Sequence, residues 1–177
     1  SPHKNYYQEL VESIVSQQLS VKAARTIMNR FLELFSGDEF PAPDQILSKT
    51  IEEMRAVGLS RQKATYIQDL AVNVIEGTVK FNDLDSLSND EVIAELTQIK
   101  GVGVWTVHMF LIFCMGRLDV LPTGDLGIKN GIYSLYNLKE KPSPEEMKKI
   151  AKKNKWHPYE SVASWYVWHS LDNKPAL

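Results

Sequence analysis

The stretch Leu96-Thr-Gln-Ile-Lys-Gly-Val-Gly-Val-Trp-Thr106 decides how this chain is read. A helix ends, a Gly101-Val-Gly103 turn reverses the chain, and an apolar helix follows with Val107, Phe110, Leu111 and Phe113. Two glycines two apart open backbone conformations closed to other residues and let a ligand come close to the main chain. The second helix starts at the turn, so its first amides lack intrahelical partners and can receive a phosphate without a basic side chain. The same residues also read as a plain glycine-rich connection between helices, and the hairpin alone leaves both readings standing.

Eighteen residues after Gly103 begins Leu121-Pro-Thr-Gly-Asp-Leu-Gly-Ile-Lys129, with Asp125 twenty-two residues after that glycine. Pro122 and Gly124 make a loop, and Asp125 stands where the next helix begins, the ordinary place for an N-cap carboxylate. The glycines add something to that reading. Gly124 leaves open space beside Asp125, and Gly127 lets the first helical turn approach another surface. Lys129 lies four residues on, and an exposed ion pair at that spacing contributes only about 0.3–0.5 kcal/mol.

Around these two segments the chain reads as helix throughout, with no sustained strand alternation. Tyr6, Leu10, Ile14 and Val15 share one face, and Ser20 caps a helix carrying Ala24, Ile27, Phe31 and Leu32 that Gly37 closes. Thr50 to Glu53, Ser88 to Glu91 and Ser143 to Glu146 are capping boxes, the last with Pro144 at the first helical position. Ser60 caps a long helix ending near Gly77, a turn of helix starts near Gln45, and a last helix covers Tyr159 to Leu171. The expectation is an all-α fold of about ten helices.

Composition excludes several function classes. The 177 residues fit one domain, or one domain with two lobes. Twenty Lys and Arg against 22 Asp and Glu give a net charge of -2, so any nucleic-acid contact is local rather than a global charge effect. Cys114 is the only cysteine, which excludes an intrachain disulfide and a four-thiolate cluster. His3, His108, His157 and His169 show no zinc-enzyme spacing. The longest apolar run, Met109 to Met115, is too short to span a bilayer, and no signal-peptide pattern opens the sequence. A soluble, reducing, intracellular setting is expected.

Hairpin and carboxylate together, in this order, resemble the helix–hairpin–helix DNA glycosylase superfamily, and within it the alkylpurine (3-methyladenine) DNA glycosylase II type. Two further segments agree: Val15-Ser-Gln-Gln-Leu-Ser-Val-Lys-Ala-Ala24, and the closing Trp156-His-Pro-Tyr-Glu-Ser-Val-Ala-Ser-Trp-Tyr-Val-Trp168. The resemblance implies a two-lobed helical fold with its active site in the cleft between lobes, one lobe spanning 20–117 and the other 1–19 plus 118–177. It also implies a monofunctional, hydrolytic glycosylase that excises alkylated, often cationic purines from duplex DNA in base excision repair. Members that also cut the strand carry a lysine two residues past the second glycine, and here that residue is Trp105. The alternative within the same fold is a catalytically weak homologue that binds abasic or damaged DNA without efficient base release.

By the same resemblance, Asp125 is the catalytic carboxylate, stabilising an oxocarbenium-like sugar and orienting water. Trp105 and Trp168, with His108 and Met109, form the pocket for a flipped base. Met109 departs from the larger bacterial members, which have a tyrosine there. Trp165 and Tyr166 are nearby candidates, although Trp156 and Trp165 themselves read as core. Amides of Gly101, Gly103 and Thr106 meet phosphate. Gln18 plugs the gap left by the base, Leu19 wedges the opposite strand, and Ser20 caps a helix while touching DNA. Carbonyls of Thr97, Ile99 and Val102 are implied to hold a structural Na⁺ or K⁺ ion, with no cofactor required for the reaction. The expected partner is double-stranded DNA carrying alkylated bases or abasic sites, met by a monomer with no membrane contact. The setting would be the nucleus in a eukaryote, or the cytoplasm and nucleoid in a bacterium.

Overall fold

A computed structural model describes residues 5–37 and 39–172, so His3 and the outermost ends of the expected lobes lie outside the described residues. Among the described residues there are ten α-helices and no strand. The chain divides into two compact units, Ser1–Gly103 and Val104–Leu177. That boundary falls earlier than the expected one at 117, and it keeps the N-terminal helix with the residues that follow it in sequence.

The first unit holds α1 (Tyr6–Ser16), α2 (Val21–Leu32), α3 (Pro43–Leu47), α4 (Ile51–Ala56), α5 (Arg61–Ile75), a 3₁₀ turn (Phe81–Ser86) and α6 (Asn89–Leu96). α5 is its centre, with α1, α3 and α4 all packing on it, and α1 also packs on α2. The apolar positions explain this. Ala64, Ile67, Leu70 and Ala71 of α5 are fully buried, as are Leu10, Val11 and Ile14 of α1. Each fully buried large side chain of this kind contributes about 1.5–3 kcal/mol. A short turn after α1 leads straight into α2, which leaves α1 in the first unit.

Helix starts follow local chemistry. The Thr50, Ser88 and Ser143 side chains each accept from the amide three residues on, and Glu53, Glu91 and Glu146 reach back to the cap amide. α3 begins at Pro43, two residues before the expected start, because proline suits a first helical turn and the Gln45 side chain accepts the Ala42 amide at 2.8 Å. α2 ends at Leu32, and i→i+3 bonds from Leu34 to Phe31 and from Phe35 to Leu32 carry the chain on toward Gly37.

The second unit holds α7 (Val104–Met109), a wider turn over Phe110–Cys114, α8 (Leu126–Leu135), α9 (Pro144–Lys153) and α10 (Glu160–Asp172). Its core joins Ile128 and Ile132 of α8, Met147 of α9 and Val167 of α10, with Trp156 and Trp168 packed against it. α8 and α10 cross closely because Gly131 has no side chain. A Cβ there would lie 2.4 Å from Val167 Cγ1 and 3.1 Å from the Val167 carbonyl oxygen. Trp156 is a packing residue, as expected. Trp165 is not, since it is half-exposed on α10, its ring tilted 32° against His169 with ring centroids 3.7 Å apart.

Candidate active site

Asp125 is the N-cap of α8, and its carboxylate does more than cap. The loop before it folds on itself, with the Asp125 amide donating to the Pro122 carbonyl at 2.9 Å. Oδ1 then accepts the Ile128 amide at 2.8 Å, the ordinary capping bond. Oδ1 also accepts the Trp168 indole N–H at 2.8 Å, and Oδ2 accepts the Trp105 indole N–H at 2.8 Å. Two indoles, from α10 and α7, thus converge on one carboxylate, which takes its hydrogen bonds from N–H donors rather than from Lys129.

Partial burial pushes the Asp125 carboxyl up. Hydrogen bonds from Trp105, the Ile128 amide, Trp168 and the Gly127 amide outweigh that effect and hold it below the usual carboxylate range. The positive end of α8 favours the same charge state. Asp125 is therefore an anion at neutral pH. Oδ2, with a single indole donor, keeps room for a further partner.

Gly127 makes this arrangement fit. A Cβ at that position would stand 3.0 Å from Asp125 Oδ1, 3.0 Å from Trp168 Cδ1 and 3.1 Å from its Nε1. The indole reaches the carboxylate through the space a side chain would fill.

The aromatic surround extends beyond the expected residues. Phe113 stacks on Trp168, with ring centroids 5.8 Å apart and planes 27° apart, and it is 63% exposed. It is carried there by the wide turn after α7, closed by the Met115 amide on the Phe110 carbonyl at 3.0 Å. Such wide turns recur at functional sites. Trp105 is 49% exposed. His108 and Met109 follow it by three and four residues, one helical turn on along α7, and both are partly buried. Burial pushes the His108 imidazole down, so it is neutral at pH 7, and its Nδ1 is buried without a hydrogen-bond partner. Phe113 was legible only as an apolar helix position, because its stacking depends on the local widening of the helix.

In the first unit, Gln18 stands at φ +57, a left-handed conformation that a glutamine adopts only when its surroundings enforce it. Leu19 is 38% exposed beside it, and Val21 is 87% exposed, so this turn presents apolar side chains to solvent. Ser20 caps α2 by accepting the Ala23 amide at 3.3 Å. At the hairpin, Gly101 has φ +81 and lies under the Tyr66 ring, whose Cδ2 would be 2.0 Å from an added Cβ. Gly103 is exposed, with nothing within 4 Å of an added Cβ. The Thr106 side chain is buried, and its amide is in the first turn of α7, where intrahelical partners are lacking. Ile99 and Val102 are buried, and the Ile99 carbonyl accepts the Val102 amide at 3.1 Å while retaining a second lone pair. Thr97 caps the end of α6. Neutral carbonyl oxygens of this kind suit a hard alkali ion. Among the described residues no group of three His, Cys, Asp or Glu side chains could hold a metal.

Comparison with known proteins adds independent findings. The family model described as HhH-GPD superfamily base excision DNA repair protein matches residues 11–156. The DNA-3-methyladenine glycosylase 1 of Schizosaccharomyces pombe is 40% identical over 166 residues, 93% of this chain and 72% of that protein. The alkylbase DNA glycosidase-like protein of the same yeast is 35% identical over 172 residues, 95% of this chain and 80% of that protein. The solved structure of the S. pombe 3-methyladenine DNA glycosylase in complex with abasic DNA superposes with a TM-score of 0.77 at 37% identity, covering 97% of this chain and 85% of that one.

Proposed function

The chain belongs to the HhH-GPD superfamily of base excision DNA repair proteins, and from that premise we propose that it is a monofunctional DNA glycosylase removing alkylated, 3-methyladenine-type purines from duplex DNA. The observation that carries this reading is the Asp125 carboxylate held as an anion by two indole N–H groups. A base alkylated on a ring nitrogen is cationic. It leaves neutral when the glycosidic bond breaks and takes both bonding electrons, so no protein acid is needed. The positive charge then resides on the sugar, where a preorganised carboxylate stabilises it. Water oriented by Asp125 attacks C1′, and its proton passes to the Asp125 carboxylate or to bulk water. Trp105 stands where a strand-cleaving relative needs an amine, and an indole cannot form a Schiff base, so the product is an abasic site.

The aromatic side chains around Asp125 suit a flipped cationic base, since ring faces attract cations. Trp105, Trp168 and Phe113 supply those faces, with His108 and Met109 alongside. Gln18 and Leu19 fill the gap in the duplex, with Ser20 at its edge. Amides of Gly101, Gly103 and Thr106 take phosphate, and a Na⁺ or K⁺ ion on the carbonyls of Thr97, Ile99 and Val102 supports the hairpin without entering the reaction. The fission-yeast relative with abasic DNA is consistent with this partner and product. The protein acts as a monomer where genomic DNA is kept, the nucleus or the bacterial nucleoid. Among the described residues no helix is long and apolar enough to cross a membrane.

Release of methylated bases from alkylated duplex DNA, by the parent and by Asp125→Asn, tests the reading. Base release by the parent alone, with the abasic strand left uncut, is the expected result. Undiminished release by the variant reduces Asp125 to a helix cap. Tight binding to abasic DNA with no base release by either protein selects the binding-only alternative.

A further inference from the structure

The turn at Gln18 and the glycine hairpin are far apart in sequence, yet one face of α5 holds both. The Lys63 ammonium donates to the Val15 carbonyl at 2.7 Å and to the Gln17 carbonyl at 2.5 Å, the last turns of backbone before Gln18. One helical turn further, the Tyr66 ring covers Gly101. Another turn on, Asp69 Oδ2 accepts the Lys100 amide at 2.9 Å, and its Oδ1 pairs with Lys100 Nζ at 3.0 Å. The spacing 63, 66, 69 places these three side chains along one side of α5. A direct bridge closes the set, in which Gln17 Nε2 donates to the Gly101 carbonyl at 3.0 Å.

Each contact has a physical reason. The carbonyls at the end of α1 carry the negative end of the helix and lack intrahelical donors, so an ammonium is their natural partner. Gln18 at φ +57 is in a left-handed conformation that persists only where its neighbours over-determine it, and the bonds to Val15 and Gln17 fix the backbone immediately before it. The Gln17 amide then ties that backbone to the hairpin rather than to solvent. None of these groups is placed to touch a base or a sugar through the contacts described.

We infer that Lys63 and Gln17 are positioning residues that lock the Gln18–Leu19 turn in register with the Gly101–Gly103 hairpin, so that phosphate binding and insertion into the duplex occur together. The inference rests on the glycosylase reading and deepens it. A rigid register matters because inserting Gln18 must coincide with anchoring the strand, and a displacement of about 1 Å remote from the chemistry can cost as much as about a hundredfold in rate. Insertion is needed only when a base must be taken out of a stacked duplex. A base in single-stranded DNA is already accessible.

That distinction supplies the test. Single-turnover base release is compared on alkylated duplex and alkylated single-stranded DNA for the parent, Lys63→Met, Lys63→Arg and Gln17→Ala. In parallel, 2-aminopurine placed beside an abasic analogue in duplex DNA reports insertion by its fluorescence. For Lys63→Met and Gln17→Ala, the expected result is a loss of about tenfold or more on duplex, with single-stranded release unchanged and the 2-aminopurine signal reduced. Lys63→Arg, which keeps charged donors for two carbonyls, recovers most of the duplex rate. Equal losses on both substrates, or no loss on either, overturn the inference. If Lys63→Met does not fold, Gln17→Ala decides, because it deletes only the exposed bridge. If the parent releases no base at all, the glycosylase reading fails, and the fluorescence signal still decides whether Lys63 and Gln17 set the insertion turn. Failure of the parent to bind duplex overturns both.

Discussion

Ser20 and Asp125 are both N-caps, one in each unit, and both are candidates for work on DNA. Ser20 caps α2 with a single bond of 3.3 Å on an exposed turn. Asp125 caps α8 with a bond of 2.8 Å and takes two indole donors besides. The bonds beyond the cap are the telling part. A capping residue needs one acceptor for one amide, and donors from two other helices serve no capping purpose. The first unit spends its side chains on fixing backbone, with Lys63 and Gln17 holding main-chain carbonyls. The second spends them on fixing a charge. On the proposed reading, the first unit grips a strand and needs a set shape, whereas the second stabilises a developing cation and needs a set anion.

The sharpest way to break that contrast is Asp125→Asn. Asparagine keeps the capping acceptor and removes the charge. Base release should fall by about 10²–10³, the usual effect of deleting one preorganised electrostatic group. DNA affinity should hold or rise, because a negative charge has left the site. Single-turnover release and abasic-duplex binding, measured on equal folded protein, separate the two. An Asn variant within about threefold of the parent, far short of that loss, removes Asp125 from the reaction.

The glycines extend the contrast to stability. Gly131→Ala puts a methyl 2.4 Å from Val167 Cγ1 and should destabilise the protein by about 1–3 kcal/mol, read as a lower urea midpoint. Gly103→Ala meets nothing within 4 Å, so it should leave the midpoint near that of the parent while weakening DNA binding. A stability loss at Gly103 equal to that at Gly131 would mean the hairpin glycine serves packing rather than access.

Trp168→Phe keeps a ring on Phe113 but removes one donor to Asp125. The carboxyl now lies below its ordinary value because its four donors outweigh burial. Losing one donor raises it. Activity that requires the anion is lost as pH falls through that value, so the acid limb of the pH–rate profile should move to higher pH. The stability the carboxylate contributes follows the same sign. It is fully present above the unfolded carboxyl value and lost as pH falls through the folded one. An acid limb that does not move in Trp168→Phe would show that the indole bond does not tune the charge.

Much of this was legible locally. Capping boxes name their own helix starts, and the hairpin and the Asp125 loop stand out because glycine and proline punctuate a helical chain. The contacts that finish each site were not. The resemblance puts Trp105, Trp168 and Asp125 in one site, but the indole bonds to the carboxylate and the Gln17 bond to Gly101 join residues far apart in sequence and are seen only in the fold. Phe113 reaches Trp168 through a wide turn that no residue in Phe110–Cys114 announces. Gly131 carries no signal of its own in the sequence, and only the folded chain shows Val167 seated where its side chain would be. Trp165 reads as core from its residue type, yet the structure leaves it 46% exposed on α10 beside His169.

The smallest effects come from Ser20, where two substitutions separate cap from contact. Alanine at an N-cap removes the acceptor and should cost about 1 kcal/mol, whereas glycine there costs only a few tenths. Both delete the hydroxyl. If Ser20 only caps α2, DNA affinity and duplex base release should follow stability, with Ser20→Ala weaker than Ser20→Gly. If the hydroxyl also meets DNA at the Gln18–Leu19 turn, the two variants should lose affinity alike despite their different urea midpoints. Loss of one neutral hydrogen bond is worth about 0.5–1.5 kcal/mol, a factor of roughly 2–10 in affinity. Equal affinity losses with unequal stabilities would place Ser20 in the interface. Affinities that track stability, or that do not change, would leave it a cap and narrow the DNA-facing part of the turn to Gln18 and Leu19.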